Sequence, residues 1–250
     1  MTPFPVTVNI LNRTFYIRYE ENLGTGFTID IDDQQYLVTA KHVVEGIQDG
    51  DHIYLMHNDK WYGGAVNIAW MPPQRAEEDI AILLFQEELL SEAAYPVIVN
   101  SAGLYLGQDV YFLGYPYKMR MRFKEMKGGW PLPLVKKGIV SGFGGKKGPE
   151  LIYIDGHNNP GFSGGPVIFG KAGDEHPHIA GVISGYKRNY EHLIDIENKK
   201  EPQIMNRYIT YGNTGIIFAY ALGDGVKYIR ANPKRQRPEP IAPLLVKKDI

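Results

Sequence analysis

The chain has 250 residues, 27 Lys and Arg against 28 Asp and Glu, and a net charge of -1 with a pI near 6.7, a balance that points away from nucleic-acid and membrane-surface partners. Cysteine is absent, which excludes disulfides, thiolate metal sites and a cysteine nucleophile. Hydrophobic residues at 44% with 28 Gly and 17 Pro suit a soluble globular protein of many short strands and turns, and the length suffices for one large β domain or two small ones.

The start, Met1-Thr2-Pro3-Phe4-Pro5, lacks the basic-then-apolar layout of a secretion signal. No apolar run approaches the roughly 18 residues of a membrane span, so a cytoplasmic location is expected. Residues 5–20 read as one or two strands. Gly24-Thr25-Gly26-Phe27 then opens a strand, and a turn at Asp32-Asp33-Gln34 leads to a second, Tyr36 to Thr39. That strand runs into a single helical turn at Ala40-Lys41-His42-Val43-Val44, which delivers a histidine to a strand end. Alone, such a histidine is more often structural than catalytic.

Strands follow at about 52–57 and 61–69, and Asp79 stands directly before an apolar strand, Ile80 to Phe85. By itself that acid reads as a cap. Gln86 to Leu90 forms a short helix or loop, and the pattern loosens over 95–107, where the link between two halves is expected. The second half opens at Asp109-Val110-Tyr111-Phe112-Leu113-Gly114-Tyr115-Pro116. Lys118, Arg120, Arg122 and Lys124 then alternate with Met119, Met121 and Phe123, so the four cations share one face of a strand that Gly128-Gly129 turns back as a hairpin. Strands recur near 134–143, 151–155, 164–169, 178–185 and 214–219, a long polar loop separates the last two, and residues 220–231 make the best helix.

Asn159-Pro160-Gly161-Phe162-Ser163-Gly164-Gly165-Pro166-Val167 organises the rest. It sets one serine among three glycines and two prolines, so the backbone can turn sharply and let another chain approach closely. The hydroxyl of Ser163 is exposed by such a turn. The amides of Gly161 and Ser163 can then converge beside it, as a developing oxyanion requires.

Taken together and in order, Gly24 to Phe27, Thr39 to Val44, Asp79 to Leu83 and Asn159 to Val167 resemble the signature stretches of the chymotrypsin-fold serine proteases, closest to the cysteine-free bacterial HtrA (Deg) branch. Weaker likenesses are Gly114-Tyr115-Pro116 with Gly138-Ile139-Val140-Ser141, and Gly215 to Ala219. The resemblance covers about residues 20–220. It implies an all-β fold of two antiparallel six-stranded β-barrels: residues 1–105 with His42 and Asp79, residues 106–220 with Ser163, and 221–250 as a helix and extended tail. It implies a serine endopeptidase with Ser163 as nucleophile, His42 as acid–base, Asp79 as its orienting partner, and Gly161 and Ser163 as the oxyanion hole. Ser184, Gly185 and Tyr186 match the strand that pairs with substrate backbone, and His157, Asn158, Tyr186 and Ala219 the lining of the specificity pocket. No metal or organic cofactor is implied; the partner is a polypeptide substrate, and control by a regulatory protein is expected from the short chain.

Phe162 departs from the family, which carries aspartate or, in HtrA, asparagine before the nucleophile; activation by N-terminal cleavage is therefore not expected. With 250 residues, an attached PDZ domain is not expected. The stretch from Pro116 to Gly138 is longer than in HtrA, and its basic hairpin is expected at the cleft rim, facing acidic segments. Other readings are weaker. Gly161 to Gly165 also fits the nucleophile elbow of α/β-hydrolases, but a helix should follow it, and the acid and histidine that should come later, such as Asp174 and His192, lie in irregular stretches. A gated or inactive peptide-binding protein on the protease fold has the same sequence signature. Gly144-Gly145-Lys146-Lys147 fails as a phosphate loop, His176-Pro177-His178 reads as a surface turn rather than a metal site, and Lys234-Arg235-Gln236-Arg237 as a solvated tail.

Overall fold

Two-residue turns fold the first third of the chain. Asp32 and Asp33 have φ of 49° and 63°, and Asn58 and Asp59 have 47° and 60°. Both pairs lie in the left-handed region that matches the twist of a tight hairpin, and Asn and Asp tolerate it well. In this computed structural model they join β2 (Asn22–Ile31) to β3 (Gln34–Thr39) and β4 (His52–His57) to β5 (Lys60–Trp70). With β1 (Thr14–Tyr19) and β6 (Ala81–Phe85) these strands close a barrel in the order β1-β2-β3-β6-β5-β4. The structure describes residues 6–73, 77–86, 95, 97–121, 128–145, 150–171, 173–195 and 203–233, with backbone alone for 192–195 and 203–208. Most of the Gln86–Leu90 segment, Arg122 and Lys124, Lys146 and Lys147, and the Lys234–Arg237 tail lie outside them.

The second sheet is built from β7 (Ile98–Val99), β8 (Asp109–Gly114), β9 (Leu134–Gly144), β10 (Leu151–Asp155), β11 (Pro166–Phe169), β12 (His178–Asp195) and β13 (Gln203–Ala221). Its order is β11-β8-β9-β10-β13-β12, and pairing of β11 with β12 closes it as a second six-stranded barrel; β7 adds in parallel to β12. Pro166 to Phe169 is thus a strand, which removes the α/β-hydrolase reading.

Each barrel has its own apolar core. A third cluster joins them, drawing Phe27, Ile29, Val38 and Ile82 from the first, and Leu113, Ile168, Ile179 and Val182 from the second. A C-terminal helix, α2 (Gly223–Ala231), adds Val226 and Ile229. Burial of one such side chain contributes about 1.5–3 kcal/mol, so this shared core holds the barrels, and the cleft between them, in one relation.

Two elements differ from the sequence-based expectation. Residues Val8–Asn12 form a short helix, α1, instead of a strand, because the Thr7 hydroxyl caps it by accepting from the Ile10 amide. The stretch 187–214, expected as a loop, is mostly a two-stranded ribbon in which β12 and β13 run on together to Asp195 and Gln203. Cross-strand aromatic pairing supports it: Tyr190 and Tyr211 meet edge to face at 5.1 Å. Among the described residues no helix is long and apolar enough to cross a membrane.

Candidate active site

β3 ends at Thr39, and the chain enters a 3-10 turn at Lys41–Val44 whose Val43 and Val44 are buried in the first core. Those two valines anchor the turn and leave His42 half-exposed at its outer side. Asp79, just before β6, reaches the same turn. One carboxylate oxygen accepts the His42 backbone amide at 2.8 Å and the other faces Nδ1 at 2.6 Å. Ser184 Oγ donates to that second oxygen at 2.6 Å. Burial alone would raise the Asp79 carboxyl, but the hydrogen bond and charge of His42, with the Ser184 hydroxyl, outweigh it and hold the carboxyl below its ordinary value. Asp79 thus fixes the ring so that Nε2 is turned outward.

Ser163 lies across the cleft, in the turn between β10 and β11. Its Oγ donates to the Ser184 carbonyl at 2.9 Å. Bonds through Ser184 thus gather His42, Asp79 and Ser163 at one place, and among the described residues the Ser163 hydroxyl is not bonded to the His42 ring. Hydrogen bonds between such groups are commonly long or unmade without substrate and tighten only in the complex.

The turn itself is held by its carbonyl groups. The His157 carbonyl accepts from Lys136 Nζ at 2.7 Å and the Asn158 carbonyl from Asn213 Nδ2 at 2.6 Å. Phe162 N bonds the Asn159 carbonyl at 3.2 Å, and Tyr117 N the Pro160 carbonyl at 3.0 Å. The Gly161 carbonyl takes Thr25 Oγ1 at 2.7 Å, with Tyr115 N at 3.3 Å. Gly165 N and Thr25 N bond the carbonyls of Phe162 and Ser163, each at 2.8 Å. A trans peptide points its N–H opposite its C=O, and the chain has no cis bond. The bound Pro160 carbonyl therefore turns the Gly161 amide away from the fold, and the bound Phe162 carbonyl does the same for Ser163. Neither amide has a partner among the described residues. Gly161 and Gly164, at φ of 107° and 84°, make the bend, and a side chain on Gly161 would run into the Tyr115 carbonyl.

Phe162 is fully buried, edge to face with Phe112 at 5.1 Å, and packs in the second core with Ile217 and Ala219. The position where the family carries an acid or amide is here an apolar anchor. Of the expected pocket residues, Ala219 belongs to that buried core, His157 is exposed, and Gly185 and Tyr186 are half-buried. Asn158 is 2% exposed, and its Oδ1 has no protein partner.

Of the basic stretch expected at the cleft rim, Lys118 and Arg120 lie within the described residues; Arg120 pairs with Asp59 of the first barrel at 2.9 Å, and Met121 bridges Leu132. His178 is not in a surface turn but buried, at 3% exposure, between Asp174 at 2.5 Å and Asn100 at 3.1 Å. Asp174, a candidate acid of a hydrolase, is occupied by that pairing. Among the described residues no cluster of His, Asp or Glu could hold a metal ion.

Sequence reading missed Thr25 and Lys136. Thr25 is fully buried and bonds the oxyanion turn with both its amide and its hydroxyl; only the resemblance of the Gly24–Phe27 stretch drew notice to it. Lys136 had a signal of its own. Alternation along β9 puts it on the inward side with Gly138 and Val140, where a lysine is unexpected unless its amine has work there.

The family profile of the trypsin-like peptidase domain matches residues 24–174. No curated protein matches the sequence. Among solved structures, the Rv3671c protease of M. tuberculosis is similar in its inactive form, at 20% identity and TM-score 0.53 over 94% of this chain and 98% of that one. Its active form matches at 19% identity and TM-score 0.54, over 97% and 91%. The serine endoprotease from Yersinia pestis matches at 16% identity and TM-score 0.56, over 91% of this chain and 67% of that one. The HtrA-type protease AlgW, solved with a tripeptide, matches at 19% identity and TM-score 0.55, with 91% of this chain on 63% of that one. Active and inactive forms fit about equally, so the backbone likeness speaks for the fold alone.

Proposed function

The chain belongs to the trypsin-like peptidase family, and we propose that it is a serine endopeptidase acting through Ser163, His42 and Asp79 and an acyl-enzyme intermediate. The observation that carries this reading is the oxyanion turn: both amides beside Ser163 are turned outward and unpartnered while seven consecutive carbonyls, from His157 to Ser163, are bound within the protein. A loop shaped this way presents donors to a negative oxygen before any substrate arrives.

In the proposed cycle a substrate strand pairs beside Ser184–Tyr186, and the Ser163 hydroxyl turns from the Ser184 carbonyl to His42 Nε2. Oγ attacks the peptide carbon as His42 takes its proton. The carbonyl oxygen becomes an oxyanion between the amides of Gly161 and Ser163, where one donor is worth about 3–4 kcal/mol in comparable sites. His42 returns the proton to the leaving amine, and water, activated by the same ring, releases the acyl group. Asp79 stays ionised throughout and stabilises the imidazolium. The specificity pocket is proposed to involve His157, Asn158 and Tyr186.

The test is digestion of an unstructured protein, with new N-termini identified by mass spectrometry. Wild type is expected to generate internal cleavages that Ser163→Ala does not. Equal cleavage by both would place the activity elsewhere, and none by wild type over a broad peptide library would contradict the endopeptidase reading.

A further inference from the structure

A half-buried lysine of the second barrel reaches the turn that carries Ser163. On β9, Lys136 lies opposite Phe112 and shares the inward side with Gly138 and Val140, while its neighbour Lys137 points outward and pairs with Asp109 at 2.9 Å. The Lys136 amine donates to the His157 carbonyl at 2.7 Å and to Asn159 Oδ1, and it lies 5.3 Å from the centre of the Phe162 ring. Asn159 in turn donates from Nδ2 to the Tyr117 hydroxyl at 3.2 Å, and the Tyr117 amide binds the Pro160 carbonyl. One amine thereby touches the turn at three positions: 157 by backbone, 159 by side chain, and the ring at 162 that precedes Ser163.

We propose that Lys136 is the positioning residue of the oxyanion hole, an internal cationic latch that holds the Gly161 and Ser163 amides outward in place of a disulfide or an acid–amine pair. The chain supplies neither of those alternatives here: it has no cysteine, and residue 162 is phenylalanine. A flip of the Pro160–Gly161 peptide would exchange the Gly161 amide for the Pro160 carbonyl at the oxyanion position, which repels negative charge; the Asn159–Pro160 peptide has no N–H to offer. Fixing residues 157 and 159 removes that freedom on the side of the turn that the first barrel does not reach; Thr25 fixes the other side at 161 and 163. Partial burial holds the Lys136 amine below its ordinary value, and among the described residues no carboxylate pairs with it.

The inference rests on the endopeptidase reading for its enzymatic consequence, but not for its structural one. In the full chain, Lys136→Met keeps the stem over Phe162 and removes the amine, with Lys137→Met as control. For Lys136→Met, kcat on a peptide substrate is expected to fall about 10- to 100-fold with KM within about twofold, below the full loss of an oxyanion donor. Affinity for a peptide boronic acid, which forms a tetrahedral adduct in the hole, should fall in parallel, and the thermal midpoint should hold or rise. The amide 1H–15N resonances of Gly161 and Ser163, which need no turnover, should shift or broaden in Lys136→Met and stay in Lys137→Met. Unmoved resonances would overturn the latch whatever the activity. An inert wild type with moved resonances would instead leave the latch standing and remove the peptidase reading.

Discussion

The two halves of the site are held in opposite ways. His42 and Asp79 sit on strand ends of the same barrel, and three hydrogen bonds to one carboxylate fix them. The turn at 157–163 is held by groups from β2, β9, β13 and the Tyr115–Tyr117 stretch, one carbonyl at a time. The first half is a compact hydrogen-bonded pair on neighbouring strand ends, with one further bond from Ser184. The second is a loop whose shape is a sum of remote anchors, so its function should be the easier to damage without touching the reacting residues.

The largest expected effect removes the nucleophile: Ser163→Ala should lower kcat by about six orders of magnitude, measured as steady-state peptide hydrolysis. Next comes Asp79→Asn, expected to cost about 10⁴-fold because the ring then rests in the wrong tautomer; burst kinetics should show slow acylation with the oxyanion turn intact. On the other side, Gly161→Ala leaves all three reacting residues in place yet should reduce kcat by about 10²- to 10³-fold through backbone strain at φ 107°. A smaller effect than that of Asp79→Asn is required by the contrast, and a larger one would reverse it.

Thr25→Val should destabilise the chain by about 1 kcal/mol in a denaturant titration, since it removes the hydroxyl bond to the Gly161 carbonyl and leaves that carbonyl only the longer bond from the Tyr115 amide. The smallest effect is in acid. The carboxyl of Asp79 is lowered in the fold, so its stabilisation is present above its ordinary value of 3.8 and is lost as pH falls through the folded value. Thermal midpoints of wild type should therefore drop more steeply than those of Asp79→Asn below about pH 4; parallel curves would show that the ion pair contributes nothing to the fold.

This contrast also explains what the sequence made legible. His42, Asp79 and Ser163 each stand in a short local pattern, and tight turns such as Asp32-Asp33 announce the hairpins. Lys136 and Thr25 act on residues 21 to 138 positions away, and such contacts leave little mark beyond a misplaced polarity on a strand. The ribbon after Tyr186 was hidden because polar residues alternate on a two-sided exposed ladder, where no buried face imposes a hydrophobic pattern. The basic run at 118–124 misled for the reverse reason: a clear period-two pattern did not reveal that Arg120 has a partner in Asp59 on the other barrel.

The most direct test of an assembled serine site is labelling of the purified protein with a fluorophosphonate, read by intact mass beside Ser163→Ala. Attack by Oγ on phosphorus with loss of fluoride should add one mass increment to wild type and none to the variant. Absence of an adduct on wild type, or an equal adduct on both, would contradict the account.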